Sequence, residues 1–394
     1  MAKYIKTEQG YIDASIFAPA QFKPAGKSYL TFSSTKSFTL EVHNKTKKWD
    51  GTLEYFSADK VWAVWDGTTI LSAYNNDGEY VLYLRGTGNT VITGDAGSNY
   101  KWVFTGSDIK CIGNIENLLD YATVASGNHP TMRAMCYAYM FSGCTPLTQA
   151  PELPATTLEM ECYYYMFSGC TSLTQAPALP ATTLHASCYG AMFSGCTSLI
   201  QAPALPATTL KKNCYTLMFY GCTSLIQAPA LPATTLEMEC YTSMFSGCTS
   251  LTQVPALPAT TLKQNCYRWM FQNCTSLKLS LTQTGEYTQK YRIPYSGTGT
   301  YALGALTDMF KYTGGTFTRT PSINTTYYLS TDNMIVRDTE VATLNGYVGS
   351  MIDAAIGEYA DTAEYIIPSS TEGSTKKFKI TVDDSGTLTT TEVT

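Results

Sequence analysis

Apolar residues follow three different rhythms along the chain. Between residues 28 and 105 they alternate with polar ones, as in Phe38, Leu40 and Val42 and again in Tyr80, Leu82 and Leu84. Alternation points one face inward, so it predicts short β-strands. Trp49-Asp50-Gly51-Thr52 and Trp65-Asp66-Gly67-Thr68 add Asp-Gly turn signals. A small all-β sandwich is expected over 28–107, after an N-terminal arm over 1–27.

From Cys136 to Cys274 the rhythm becomes a 26-residue tandem period, with units starting at Cys136, Cys162, Cys188, Cys214, Cys240 and Cys266. Leu158, Cys162 and Met166 are four apart, which predicts one side of a short helix, capped by Thr156 or Thr157 and ended by Gly169. Thr174-Gln175-Ala176 alone reads as strand, because Pro177 and Pro180 cannot donate to a ladder. Helix plus strand, repeated and stacked, predicts a mixed α/β solenoid of leucine-rich type over 108–280. Gln149, Gln175, Gln201, Gln227 and Gln253 would form an amide ladder along its axis. Caps are expected at both ends: a degenerate unit from Ile109, and residues 281–330, where Ala305-Leu-Thr-Asp-Met-Phe-Lys repeats the Met-Phe step without cysteine.

The third rhythm lies in 331–394. Val341, Val348 and Ala355 recur every seven residues with Leu344 and Met351 between them, an a/d seam. Gly346, Gly349 and Gly357 each weaken such a helix by about 1 kcal/mol. It folds only when packed, either on its own chain or in a homo-oligomer, with a trimer as the favoured form. Residues 376–382 and 387–393 read as a terminal β-hairpin.

The repeats carry Met140-Phe141…Cys144…Leu147, Met166-Phe167…Cys170…Leu173 and so on to Met270-Phe271…Cys274…Leu277. This resembles the BspA-like leucine-rich repeats of bacterial and phage surface proteins, in the Met-Phe-x-x-Cys-x-x-Leu variant. The resemblance implies a curved solenoid used for adhesion or recognition, with no catalytic residues to carry over. The Leu-Pro-Ala-Thr-Thr-Leu segment departs from it, with two prolines per unit.

Composition narrows the function. The chain has 394 residues, 44% hydrophobic, and a net charge of −5, which gives no basic field for nucleic acid or anionic lipid. Its start has no apolar run of signal-peptide length, and no stretch is long enough for a membrane helix, so synthesis in the cytosol without membrane insertion is expected. Of the 13 cysteines, twelve form two columns of the repeat and Cys111 stands apart. They read first as buried apolar spacers; disulfides and metal ligation remain alternatives. His43, His129 and His185 match no nucleophile or metal spacing, so neither a cofactor nor a catalytic site is expected.

Comparison of the units is more informative. The framework hardly changes, while the three residues before the first cysteine and the two before Met-Phe vary. Drift on an unpacked surface explains this; so does a recognition patch with Tyr139, Tyr164, Tyr165, Arg268 and Trp269 as anchors, since Tyr, Trp and Arg dominate binding hot spots. The strand side, with its Gln and Thr/Ile columns, is the other candidate face. The expected function is non-enzymatic: a phage virion fibre or appendage protein contacting other virion proteins and a host glycan or protein receptor. A bacterial adhesin or interaction scaffold, in the cytoplasm or at the cell surface, is the alternative. An enzyme with its site in 1–105 ranks last.

Overall fold

The computed structural model describes residues 23–26, 28–94 and 97–336, together with the backbone pairing of strands at 4–7, 10–13, 365–368, 377–382 and 388–393. The chain divides into two compact units, Met1–Ala342 and Thr343–Thr394.

In the first unit the alternating stretches form two sheets. One runs Leu147–Gln149, Ile109–Ile112, Leu30–Ser34, Glu79–Thr87, Thr52–Phe56, Trp62–Val64, with Tyr74–Asn76 also paired to Glu79–Thr87. The other runs Trp102–Thr105, Thr39–Val42, Leu71–Ser72. Phe32 of the first meets Phe104 of the second at 4.9 Å and also Phe141 of the repeats at 6.2 Å. The β region and the repeats therefore share one continuous hydrophobic core. Trp49, Trp65 and Trp102 are buried in it. Trp62 is half-buried beneath the Arg85 guanidinium, 4.2 Å from its ring.

The repeat units are not helical. Cys162, Tyr164, Met166, Ser168 and Cys170 donate their amides to the carbonyls of Glu159, Glu161, Tyr163, Tyr165 and Phe167, closing tight turns. The intervening amides of Glu161, Tyr163, Tyr165, Phe167 and Gly169 donate at 2.7–3.1 Å to Ala186, Cys188, Gly190, Met192 and Ser194 of the next unit. Every fourth residue is left-handed: Glu161 (φ 56°), Tyr165 (φ 53°) and Gly169 (φ 74°). These residues turn alternate amides onto the stacking axis, where a neighbour supplies the acceptors that an α-helix would find within itself. The turn ladder also repeats every four residues, so Leu158, Cys162, Met166 and Cys170 still point inward and are buried. Four-residue spacing thus located the core but not the backbone.

Among the described residues regular structure is mostly sheet, with one α-helix, Asn117–Ala125, outside the repeats, and no closed solenoid forms. The expected mixed α/β solenoid is accordingly corrected to a β-rich fold containing a stack of turn-built repeats. In the middle units the expected strand shrinks to single parallel bridges at Gln175, Gln201 and Gln227, where prolines follow closely, and it reaches three residues at Leu147–Gln149 and Gln253–Pro255 near the ends of the array.

Inside the stack, side chains form continuous columns. Tyr137, Tyr163, Tyr189, Tyr215, Tyr241 and Tyr267 stack with ring centroids 5.7–5.9 Å apart. Phe141 to Phe271 form a second column, which Phe310 extends at 5.7 Å. All 13 cysteines are unpaired and buried.

Both ends are closed. The amides of Ile92 and Trp102 donate to Cys136 and Met140 of the first repeat. At the other end, Tyr267, Trp269 and Phe271 donate to Ala305, Thr307 and Met309, so the cysteine-free Met-Phe segment is one more rung. Its outer edge is covered in turn: the Asp308 amide donates to Thr320 Oγ1 at 2.7 Å and the Phe310 amide to the Arg319 carbonyl at 3.3 Å. Covering removes the unpaired edge that would otherwise template aggregation. A four-stranded sheet, Tyr287–Arg292, Thr326–Ser330, Lys278–Ser280 and Gly314–Gly315, completes this cap.

The second unit contains an antiparallel sheet of Tyr365–Pro368, Lys377–Val382 and Leu388–Val393. The heptad seam from Val341 to Ala355 lies outside the described residues.

Candidate functional site

The left-handed turns decide which residues face out. In each unit the residue two before Phe and the residue one after it stand on either side of the buried Met-Phe pair. Stacking turns them into two parallel outward columns. Tyr165, Leu217, Ser243 and Trp269 belong to the first; Ser194, Tyr220, Ser246 and Gln272 belong to the second, with Ser243 and Ser246 themselves buried between larger neighbours. Between them runs a shallow trough of about 600 Å³, parallel to the stack, which ends at Asp308 and Lys311. That last pair forms an ion pair at 3.4 Å.

The anchors expected from sequence separate into two groups at opposite ends of this trough. At one end Tyr139 stacks flat on Tyr165 at 4.9 Å, and Tyr164 meets Tyr165 edge-on at 4.6 Å. Tyr164 leans over Gly190, where an added Cβ would fall 2.8 Å from the ring. Burial, followed by the neighbouring phenols Tyr165 and Tyr139, pushes the Tyr164 hydroxyl up to about 12. At the other end the Arg268 guanidinium lies 3.7 Å from the centroid of the Trp269 ring. Tyr165 and Trp269 line the trough itself; Tyr139 continues the first column beyond Tyr165, while Tyr164 packs against Tyr165 and Arg268 against Trp269. All five are half-buried rather than fully exposed.

Sequence comparison missed Tyr220, which is 47% exposed near the middle of the trough. The signal was present: Phe-Ser-Gly-Cys becomes Phe-Tyr-Gly-Cys at Tyr220 and Phe-Gln-Asn-Cys at Gln272, a third variable position within the constant framework. Leu217 sits in the second variable window but had no role assigned to it.

Other groups offer little chemistry. Burial pushes the thiols of Cys196 and Cys214 up to about 12, which suppresses the nucleophilic thiolate. Among the described residues no group of three or more His, Cys, Asp or Glu could hold a metal ion, and no helix is long and apolar enough to cross a membrane. A second depression, of about 460 Å³, is lined by Lys290 and Arg292. The Arg292 guanidinium there already donates to the Pro294 and Gly297 carbonyls and to Asn324.

Comparison of the chain with models of protein families, with curated proteins and with solved structures gives no match.

Proposed function

We propose that this chain is a non-enzymatic attachment protein, a fibre or appendage component of a phage particle, whose repeat stack displays a recognition surface to the host cell. One observation carries the reading: variable positions of successive units, at Tyr165, Leu217, Ser243 and Trp269 before Phe and at Tyr220 and Gln272 after it, line one continuous trough, above an interior that scarcely changes from unit to unit. The aromatic residues Tyr165 and Trp269 on one wall and Tyr220 on the other all line this trough. The resemblance to BspA-like repeats of phage and bacterial surface proteins supports the same reading, and association of three copies through the heptad seam belongs to the proposal.

Electron microscopy of intact particles labelled with antibody against the repeats tests it. Label on a fibre or appendage, with purified protein blocking adsorption to host cells, is the expected result. Particles without label, or label on a bacterial surface in the absence of phage, would replace it with the bacterial adhesin reading.

A further inference from the structure

We infer that the trough binds a linear, uncharged, β-linked polysaccharide lying along the stack axis, with one aromatic contact for every two repeats. This deepens the attachment reading and rests on it for its biological setting.

Spacing is the first argument. Tyr165, Tyr220 and Trp269 belong to alternate rungs of the stack, Tyr165 and Trp269 on one wall of the trough and Tyr220 on the other. Hydrogen-bonded neighbours in such a ladder lie about 5 Å apart, which puts successive aromatic side chains roughly 10 Å apart along the axis. That is about the length of a disaccharide in an extended β-linked chain. Every second sugar could then lay its C–H face on a ring, using the apolar body of Tyr or Trp while their polar tips stay wet.

Chemistry is the second. Ser194 and Gln272 supply a hydroxyl and an amide between the rings, suited to sugar hydroxyls, while Ser243 and Ser246 lie almost wholly buried in the floor. The charged lining residues are Asp308 and Lys311, which neutralise one another, so an uncharged chain meets no unmatched charge.

Competing occupants fit less well. A peptide joining by strand addition needs free backbone donors and acceptors. The amides of Leu217, Tyr220 and Trp269 are already bonded to Thr242, Leu217 and Thr307. Nucleic acid needs cations along its path, and the only lysine in the trough is paired.

The experiment is calorimetric titration of the full chain with linear β-1,4-linked glucose and N-acetylglucosamine oligomers of two to six sugars, with a branched mannan as comparison. Tyr220→Ser and Trp269→Ser install residues that other units already carry at these positions, so both variants should melt like the parent. Expected are affinity that rises from disaccharide to hexasaccharide and a loss of roughly tenfold in each variant. A Thr208→Ala control, on the exposed threonine column, should bind normally. Absence of binding to every linear oligomer, equal binding of the branched mannan, or unchanged affinity in Tyr220→Ser would overturn the inference. Adsorption to host cells that persists under any of these outcomes would leave the attachment reading standing with a different receptor. Glycan binding by a protein missing from particles would do the reverse.

Discussion

The thiol of Cys196 donates to the carbonyl oxygen of Phe167, 3.1 Å away in the preceding repeat. Cys170, Cys222, Cys248 and Cys274 do the same towards Phe141, Phe193, Phe219 and Phe245 at 3.0–3.2 Å. This cysteine column is therefore more than a set of small apolar spacers: each sulfur helps satisfy a buried carbonyl and ties two units together.

Substitution should separate the two roles. Cys196→Ala removes the thiol from the Phe167 carbonyl, which keeps the Cys170 amide, and should cost about 0.5–1.5 kcal/mol. Cys196→Ser keeps a donor and should cost less. At Cys188, for which the structure gives no such carbonyl, the order should reverse, because serine would bury a hydroxyl without an assigned partner. Urea unfolding of the four variants checks both orders.

The glycine column tests the left-handed turn. Gly195 has φ 74°, and a Cβ there would sit 3.7 Å from Gly169, in ordinary contact. Backbone strain rather than crowding should thus set the cost. Asn273 occupies the same place in the last cysteine-bearing unit with φ 60°. Gly195→Asn should therefore be nearly neutral, while Gly195→Val should lose about 1–2 kcal/mol or more. Melting temperatures of the two variants give the comparison.

Acid should strike the N-terminal β region first. The Asp66 carboxylate, bonded by the Thr68 hydroxyl and then by the amides of Thr69 and Thr68, is held down at about 2. Asp50 is raised by burial but lowered more by the Thr90 hydroxyl and the Thr90 and Val91 amides, and Asp120 is lowered by the amides of Gly88 and Thr123. Carboxylates whose folded values lie below the unfolded value of about 3.9 contribute fully above it and lose that contribution as pH falls through the folded value. For Asp66 the window runs from about 4 down to about 2. Melting temperature should drop across this range, and the gap between the parent and Asp50→Asn should narrow. A gap that stays constant down to pH of about 2 would contradict the assignment.

Much of this was legible in the sequence, for identifiable reasons. The period fixed the units, and four-residue spacing found Leu158, Cys162, Met166 and Cys170 as core. The backbone was hidden because left-handed turns at Glu161 and Tyr165 use residues with no conformational preference for them; only Gly169 and its equivalents announced the geometry. Tyr165 and Trp269 were recoverable from the variable windows. Tyr220 was missed although its column varies there and at Gln272, because serine elsewhere makes that column look like framework; the stack sets it across the trough from the other two rings. The alternation of amide partners could not be inferred, because it depends on the neighbouring copy.

The most direct test of the account is deletion of one complete unit, residues 188–213, followed by denaturant unfolding. Units that complete each other's hydrogen bonding should still fold after this in-register removal, and should unfold in one transition with a lower midpoint and slope. An unchanged midpoint, or separate transitions for individual units, would mean that the repeats stand alone, and the continuous outward surface would lose its basis.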